Sequence, residues 1–445
     1  MKKFIILFMA ACLFAACKKD EVTLESIAVI TQPTKTIYTV DELFDPAGIV
    51  VTATYSDKST KPITVTKDML EYDFSSAGMN KSVTITYEGK TTTVTGIIVN
   101  PIDSNFAGAG TSDKPFEIGT PAQLAKLAEL VNARNENYND KYYKLTASID
   151  LSDYGTGFND GKGWIPIGRG AGYGTGFPAQ YFAFRGNFNG NGYKVIGLFI
   201  NNTTDFYREA GLFGRIFGGT VKNLGVEADI TGYSAVGGVV GYLDGSIENC
   251  YVTGKINGLN SSVGGVVGYL DPNGSMTNCY ATCEVSGNEY VGGVVGNISA
   301  SANISNCYAT SAVRGNNRVG GVAGWGGNME NCAAINQSIT RALGSNTGFG
   351  RIVSAHHLLS TITNNVALEN MQALGGITFG TGEANNIDGA DITAVQAKTA
   401  SFWTTTTPTW TGWDTSIWDI SDGKLPILRN VGGNQTTNNP PEHLQ

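Results

Sequence analysis

The stretch Val236–Gly241 reads VGGVVG, and the same six letters return at Val263–Gly268 and Val291–Gly296. A variant, VGGVAG, occupies Val319–Gly324. This period of about 27 residues is typical of proteins built from stacked repeats. One copy is too short to enclose a hydrophobic core, so successive copies must pack on one another as coils. The repeat therefore predicts the fold of the central part of the chain.

A second motif, Asn-Cys-Tyr, follows each glycine block, with its cysteine at positions 250, 279 and 307. Behind it the side chains alternate: Cys250 and Val252 fall on one side of a strand, whereas Tyr251 and Thr253 fall on the other. Because every copy keeps this parity, the small apolar face is expected to point inward. We predict an all-β chain whose main part is a parallel, right-handed β-solenoid with coils ~4.8 Å apart.

The cysteines at the repeated phase are expected to be buried thiols. Adjacent coils would bring their Cα atoms within disulfide range, but their Cα–Cβ bonds run parallel, which disfavours a bridge. A disulfide remains the alternative in an oxidising exterior. The asparagine before each cysteine is expected at a bend, where its amide bonds the backbone and tolerates left-handed geometry, and these positions are Asn223, Asn249, Asn278, Asn306 and Asn331.

The glycine blocks resemble the GLUG-motif family of bacterial surface proteins. The resemblance covers roughly residues 180–350 and rests on several copies that agree in phase. It implies a cell-surface protein, often one associated with adhesion, and it brings no catalytic residues with it. The segments that fit best are Gly238–Gly241, Gly265–Gly268 and Gly293–Gly296, and looser copies lie at Gly211–Gly214 and Gly321–Gly324.

Residues 23–100 differ in composition from the repeats, because runs rich in β-branched residues, such as Ile49–Tyr55 and Ser82–Tyr87, alternate with turn residues. This pattern predicts a small β-sandwich. The region resembles the bacterial immunoglobulin-like domain of the third group, and the resemblance implies a spacer or an adhesive stalk. The segments that follow the family's order are Pro33–Tyr38, Ala47–Val51, Tyr55–Ser59 and Tyr87–Lys90.

The N-terminus has the features of a lipoprotein leader. Two lysines precede the apolar run Phe4–Ala16, so residues 1–16 are predicted to be a signal peptide. Leu13–Cys17 resembles a lipobox, which implies that Cys17 becomes the lipidated first residue of the mature chain. Residues 17–22 would form the tether, and the charged residues directly after Cys17 resemble a surface-export tag of lipoproteins. An ordinary signal peptide with an incidental cysteine is the alternative.

The remaining boundaries follow from composition. Residues 101–113 are rich in Gly, Ala, Ser and Asp and are predicted to be a flexible linker. The solenoid is predicted over residues 114–430, with a helix after Thr120 that covers its first coil and a short helix at Ile392–Phe402. Residues 431–445 are predicted to be a disordered tail. A tryptophan-rich segment is expected to cap the last coil, with sugar stacking as the alternative, and it contains Trp403, Trp410, Trp413 and Trp418.

Composition argues against catalysis and against a nucleic-acid partner. The net charge is −8, and no basic patch is present in the sequence. The chain has three histidines, none of which suits a Ser-His-acid triad, and the acids of the repeats do not gather at one phase. We therefore expect a non-enzymatic protein with no cofactor and no metal site. Asn187–Gly192 looks like a calcium loop but is better explained as a turn, and a cation at Asp150–Asp153 remains an alternative.

The best candidate for a binding site is an outward strip on the coils. One tyrosine per coil would stack beside a threonine, and aromatic rings with adjacent hydroxyls suit an extended glycan. The alternative is that like neighbours only stabilise the parallel strands. The candidate ligand-binding residues are Tyr251, Tyr280, Tyr308, Thr253, Thr282 and Thr310.

Together these features predict a lipoprotein of the cell outer membrane that is anchored to lipid by acyl chains and exposed on the cell surface. We expect it to bind a host or matrix glycan, or an extracellular protein, and many copies per cell would compensate for weak single sites. A carbohydrate-active β-helix enzyme, either a polysaccharide lyase or a hydrolase, is one alternative function. A structural or fimbrial-type surface component is the other.

Overall fold

The computed structural model describes residues 21–40, 42–100, 105–170, 179–203, 209–345, 348–433, 435 and 439–445. The chain divides into two compact units, residues 1–102 and 103–445. The division falls inside the segment that the sequence predicts to be a linker. The predicted signal peptide and the lipidation site Cys17 lie outside the described residues.

The first unit is the expected immunoglobulin-like domain. Its described strands are β1 (Leu24–Thr31), β2 (Ile37–Thr39), β3 (Val50–Tyr55), β4 (Thr60–Ile63), β5 (Leu70–Tyr72), β6 (Gly78–Tyr87) and β7 (Lys90–Asn100). One sheet has the order β1-β3-β4, and the other has the order β2-β7-β6-β5. Both sheets contribute apolar side chains to one core, which includes Val51, Val83, Ile85 and Val94.

The second unit begins with short strands and reaches full coils at the first glycine blocks. Its first described strands are β8 (Phe116–Ile118), β9 (Tyr142–Leu145), β10 (Ile149–Asp150), β11 (Asn187–Asn189), β12 (Lys194–Asn202), β13 (Phe213–Gly232) and β14 (Val240–Gly258). The helices are α1 (Pro121–Asn132), α2 (Glu136–Asn139), α3 (Ala394–Ala397) and α4 (Ala400–Thr404). Short 3₁₀ turns lie at Lys67–Met69, Ser152–Tyr154, Asn159–Gly161, Ala179–Tyr181 and Glu442–Leu444.

The later coils break into shorter strands at their bends. In chain order these are β15 (Ser261–Gly264), β16 (Val267–Leu270), β17 (Ser275–Thr277), β18 (Tyr280–Ala281), β19 (Glu284–Ser286), β20 (Glu289–Gly292), β21 (Val295–Ile298), β22 (Asn303–Ser305), β23 (Tyr308–Ala309), β24 (Val313–Gly315), β25 (Asn317–Gly320) and β26 (Ala323–Trp325). They continue with β27 (Asn328–Glu330), β28 (Ala333–Ala334), β29 (Ser338–Arg341), β30 (Phe349–Gly350), β31 (Ile362–Thr363), β32 (Val366–Leu368), β33 (Gln372–Leu374), β34 (Ala390–Ile392), β35 (Trp418–Asp419) and β36 (Ile427–Leu428).

The coils stack in parallel and in register, which confirms the predicted parallel β-solenoid; it has about nine turns. Tyr251 pairs with Tyr280, and Tyr280 pairs with Tyr308, so equivalent residues of the repeat lie over one another. We call the strand segment that each coil contributes to such a stack a rung, so equivalent residues of successive coils lie on successive rungs. The strands that lead into the glycine blocks form a separate sheet with the order β15-β20-β25-β30.

Glycine is required in the blocks because the coils approach closely there. A Cβ atom placed on Gly265 would lie 2.3 Å from the carbonyl oxygen of Gly293. A Cβ atom on Gly293 would lie 2.2 Å from the carbonyl oxygen of Gly321. Any side chain at these positions would therefore push two coils apart, which explains why the block repeats in phase.

The interior of the solenoid is lined as the parity of the repeat predicts. Cys250, Cys279, Cys307 and Cys332 are buried and unbridged, and so is Cys283. Burial raises the pKa of Cys279, and it raises the pKa of Cys283 to about 12, so both thiols stay protonated at neutral pH. These residues act as small apolar groups in the core.

The asparagines form the predicted ladder at one bend. Asn223, Asn249, Asn278, Asn306 and Asn331 all have positive φ angles between 52° and 56°. The Asn306 amide donates to Asn278 Oδ1 at 3.2 Å, and the Asn331 amide donates to Asn306 Oδ1 at 2.7 Å. Asparagine tolerates left-handed backbone better than most residues, so it can turn the chain and link two coils with the same side chain.

The start of the second unit contains the predicted helix but no free linker in its described part. In α1 the Thr120 hydroxyl accepts a hydrogen bond from the Gln123 amide, and the buried side faces the solenoid core. Phe106, however, is 2% exposed and packs on Phe116, and Ala107 bridges to Glu117. The prediction of a flexible linker up to residue 113 was therefore wrong for residues 105–113, because one aromatic side chain anchors the segment.

The end of the second unit differs from its prediction. The single helix expected at Ile392–Phe402 is split into α3 and α4, and Lys398 and Thr399 separate them. The residues after α4 do not end at the last coil. They return along one side of the solenoid, and the Gly432 amide donates to the carbonyl of Gly192, a residue of the early coils. We call the described residues between 403 and 445, which begin with the last two residues of α4, the C-terminal strap.

Candidate functional site

The predicted tyrosine strip forms a regular column on the outside of the coils. The ring centroids of Tyr251 and Tyr280 lie 5.3 Å apart, and those of Tyr280 and Tyr308 lie 4.8 Å apart. The ring planes differ by 12° in the first pair and 2° in the second. The rings therefore cover each other's faces, which leaves only their edges and hydroxyls pointing away from the column.

The C-terminal strap lies directly on this tyrosine column. The Tyr251 hydroxyl donates to the carbonyl of Gly432 at 2.8 Å, and the Tyr308 hydroxyl donates to the carbonyl of Pro426 at 2.6 Å. The Tyr280 hydroxyl donates to Gln435 Oε1 at 2.8 Å. Burial raises the pKa of Tyr251 to about 12 and raises those of Tyr280 and Tyr308 as well, so the three phenols remain protonated donors.

The strap carries the tryptophan cluster, which packs against the same column. Trp403, Trp413 and Trp418 all contact the ring of Tyr308, at centroid distances of 6.4, 6.1 and 6.0 Å. The tryptophans are buried rather than open to solvent. This placement corrects the prediction that they cap the end of the last coil, because they cover a side of the solenoid instead. It also removes the alternative of an exposed sugar-stacking site.

The tail is part of the same structure, which contradicts the prediction of disorder over residues 431–445 for its described residues. Val431 and Leu444 are buried, and His443 Nε2 donates to the carbonyl of Ile335 at 2.9 Å. Leu425 is held by Asn439, whose Oδ1 accepts from the Leu425 amide at 2.8 Å. Two apolar anchors and several backbone hydrogen bonds therefore fix a segment whose composition is polar.

The three tyrosines are consequently not a ligand surface. Tyr251, Tyr280 and Tyr308 are 4%, 1% and 1% exposed. Strand parity correctly placed them outside the coils, but parity does not indicate which outer face another segment will cover. The tyrosine rings stack on one another, as the alternative explanation in terms of like neighbours anticipated, and the column also contacts the strap, which was not predicted.

Two of the three threonines have a more open environment than the tyrosines, because Thr253 and Thr282 are partly exposed, whereas Thr310 is 2% exposed. The flanking pairs Val252–Ala281 and Lys255–Glu284 put Thr253 and Thr282 on adjacent rungs. Thr310 follows on the next rung, and Glu227 pairs with Thr253 on the rung before it. The result is a continuous row, and we call its threonines Thr253, Thr282 and Thr310 the threonine row.

The threonine row lines a groove of about 820 Å³ between the coils and the strap. Within the described part of the chain, no side-chain hydrogen bond engages the hydroxyls of these threonines, so they can bond a ligand. Four successive rungs span about 14 Å along the coil axis. The other described lining residues include Glu227, Glu284, Gln337, Asn439, Glu442 and His443.

A second outward row of aromatic residues was not predicted from the sequence. Tyr242 and Tyr269 stack at 4.8 Å, and the Arg215 guanidinium lies 3.6 Å from the centroid of Tyr242. The register continues through Asn297 to Trp325, whose indole N–H donates to His357 Nε2 at 3.0 Å. The signal was the residue directly after each glycine block, which is Tyr, Tyr, Asn and then Trp in successive copies.

The candidates for ion binding are not brought together by the structure. Among the described residues, no group of three or more His, Cys, Asp or Glu side chains is arranged to hold a metal ion. Asp150 instead accepts hydrogen bonds from the amide and hydroxyl of Ser152, which lower its pKa. Asn189 likewise accepts from the amide of Asn191 at 2.8 Å in the expected turn.

Comparisons with known families identify both parts of the chain. Residues 31–95 match the bacterial Ig-like domain (group 3), and residues 232–257, 260–286 and 287–314 match the GLUG motif. The chain carries a group 3 bacterial Ig-like domain and GLUG repeats. Both resemblances inferred from the sequence are thus confirmed. The third GLUG repeat includes Tyr308 and Thr310, so the site lies on the repeats themselves.

Relatives of the GLUG-repeat protein share only part of its length. It is 33% identical over 156 residues to halomucin from Haloquadratum walsbyi, a match that covers 34% of this chain and 2% of halomucin. It is 36% identical over 151 residues to a putative Gly-rich membrane protein from Evansella cellulosilytica, with 33% of this chain and 15% of the relative covered. The chain therefore spans a small fraction of either relative.

One solved structure, an IgA1 protease, aligns with a TM-score of 0.33 and 15% identity over 75% of this GLUG-repeat chain and 27% of the protease. This likeness supports no conclusion about activity. Within the described residues, none of the helices has both the length and the apolar composition needed to cross a membrane.

Proposed function

We propose that this protein is a surface-exposed lipoprotein that binds a glycan without chemical conversion, through the groove at the threonine row. The observation that carries the proposal is a groove lined by Thr253, Thr282 and Thr310, whose hydroxyls engage no described side-chain partner. Thr253 and Thr282 are partly exposed, whereas Thr310 is 2% exposed. Such hydroxyls can donate to and accept from the hydroxyl groups of a sugar chain. Their regular spacing along the coil axis suits an extended polymer.

The location at the cell envelope rests on separate support. One relative is described as a membrane protein, and the leader resembles that of a lipoprotein whose acylated residue would be Cys17. GLUG repeats and Ig-like domains also imply surface proteins by resemblance. The Ig-like unit would then act as a spacer between the acyl anchor and the solenoid.

The proposal is tested by removing the hydroxyls while keeping the shape of the side chains. The triple variant Thr253→Val, Thr282→Val and Thr310→Val retains β-branched residues, so the strands should still form. A hydrogen bond contributes about 0.5–1.5 kcal/mol each, so glycan affinity should fall at least about tenfold. Binding is measured on a glycan array and then by calorimetry with the best ligand.

Thr231→Val provides the matched control, because Thr231 lies in β13 and does not line the groove. We expect this variant to bind like the unmodified protein. Undiminished binding by the triple variant would refute the groove as the glycan site. A loss of binding in the Thr231 variant would show that the assay reports on folding instead.

A carbohydrate-active enzyme is the second candidate, because Glu227 and Glu284 line the same groove. Their backbone positions are two rungs apart along the coil axis and two residues apart along the strand, which separates them by about 12 Å. This backbone separation exceeds both the ~5–5.5 Å between the carboxyls of retaining glycosidases and the ~6.5–9.5 Å of inverting ones. Release of reducing sugar from a bound polysaccharide, lost in Glu284→Gln, would favour the enzyme over the binding protein.

A further inference from the structure

The described lining of the groove carries negative charge only. Glu227, Glu284 and Glu442 line it, whereas no lysine or arginine does. The described residues within Val431–Pro441, among them the lining residues Gln435 and Asn439, carry no charge. Two lysines lie nearby: Lys255 Nζ is 3.9 Å from Glu284, and Lys398 Nζ donates to the carbonyl of Leu444. Lys255 and Glu284 are both 69% exposed, so water screens their ion pair strongly.

The carboxylates surround the hydroxyl row rather than lying at one end. Glu227 pairs with Thr253, so it continues the row on the preceding rung. Glu284 is two residues beyond Thr282, at the start of β19, and both line the groove. Glu442 approaches from the strap on the opposite wall. A ligand that touches the threonine hydroxyls is therefore within reach of carboxylates from both walls.

Charge complementarity then restricts the ligand class. An ammonium group can pair with a carboxylate and can donate a hydrogen bond to a threonine hydroxyl at the same time. Sulfate or uronate groups would meet like charge, which is unfavourable at any position in such a groove. A neutral sugar gains the hydrogen bonds alone.

We propose that the groove selects glycans with free ammonium groups, such as oligosaccharides of de-N-acetylated amino sugars, over neutral and acidic glycans. This inference rests on the proposed function of the groove. It assigns a charge preference that the hydroxyl row alone would not produce.

The test compares three probes with the purified full chain at low ionic strength. These are a chitin oligosaccharide, the fully de-N-acetylated oligosaccharide of the same length, and a heparin oligosaccharide. We expect the de-N-acetylated probe to bind about fivefold more tightly than the neutral probe or better, and heparin to show no binding. Added salt should reduce the difference between the first two probes, because exposed charges are screened.

The double variant Glu227→Gln and Glu284→Gln should weaken binding of the de-N-acetylated probe about twofold to fivefold per carboxylate, and should thereby reduce its preference over the neutral probe. Glu330→Gln is the control, since Glu330 is an exposed residue of β27 outside the groove. Equal affinity for the charged and neutral probes would overturn the charge preference and leave the glycan function standing. A preference that survives the double variant would also overturn it.

Two further outcomes separate this inference from the function on which it rests. If poly-lysine competes for the groove as effectively as the amino-sugar probe, the groove recognises positive charge and not a sugar, and the inference fails. If none of the glycan probes binds and the threonine variants change nothing, the proposed function itself fails.

Discussion

Removal of one buried hydroxyl tests how the strap is held on the solenoid. The Tyr308 hydroxyl donates to the carbonyl of Pro426 at 2.6 Å, and Tyr308 is 1% exposed. Tyr308→Phe deletes the donor and leaves a buried carbonyl unpaired, which costs about 1–3 kcal/mol. Tyr308→Ala also removes the ring that packs on Tyr280 and the tryptophans, so it should cost about 3–5 kcal/mol.

The assay is urea unfolding followed by tryptophan fluorescence, since four of the six tryptophans lie in the strap. Trp403, Trp413 and Trp418 contact Tyr308, so the same signal reports on the neighbourhood of the substitution. Tyr142→Phe is the control, because Tyr142 is 40% exposed and should change the stability by less than about 0.5 kcal/mol. If Tyr308→Phe is as mild as this control, the strap does not cover the column, and the correction to the predicted strip is wrong.

Two further predictions concern the anchor and the response to alkali. Cys17→Ser should abolish incorporation of labelled palmitate and release the protein from the membrane fraction, whereas labelling of the variant would show that acylation occurs elsewhere. The pKa of Tyr251 is raised by burial from 10.0 to about 12. A phenol whose pKa is higher in the folded than in the unfolded state stabilises the fold at pH values below the unfolded-state pKa. This stabilisation is lost as the pH rises through the folded-state pKa, so the free energy of unfolding should fall by about 2–3 kcal/mol between pH 10 and 12. Denaturant unfolding at several alkaline pH values measures this loss, and Tyr251→Phe should show a shallower decline; equal slopes would refute the assignment.

The solenoid could be predicted because its determinants are local and repeated. The period gives the length of one coil, and the alternation of Cys250 and Tyr251 shows which side chains point into the solenoid and which point out. The glycine blocks mark the positions at which neighbouring coils approach closely. Each copy repeats the same information, so one misread residue does not change the result. The same logic predicted the asparagine ladder, whose left-handed angles recur at every copy.

The cover over the tyrosine column could not be predicted in this way, because the strap does not repeat. Its contacts join residues far apart in sequence, such as Tyr251 with Gly432, and no periodic signal relates the two. The tryptophans indicated that some apolar surface near the C-terminus is buried. They did not indicate which surface, since the end of the last coil and the side of the stack both needed cover.

The strap also decides which part of the repeat is free to bind. Tyr251 and Thr253 lie two residues apart and share one face of the same strand, so the sequence assigned them a single role. The strap buries the tyrosines and Thr310 but leaves Thr253 and Thr282 partly exposed, and Tyr280 and Tyr308 also border the groove. The tyrosines hold the strap in place, and the strap in turn forms the second wall of the groove. Loss of the hydrogen bond from the Tyr308 hydroxyl to Pro426 should therefore weaken ligand binding as well as stability, even without a contact between the ligand and the face of the Tyr308 ring.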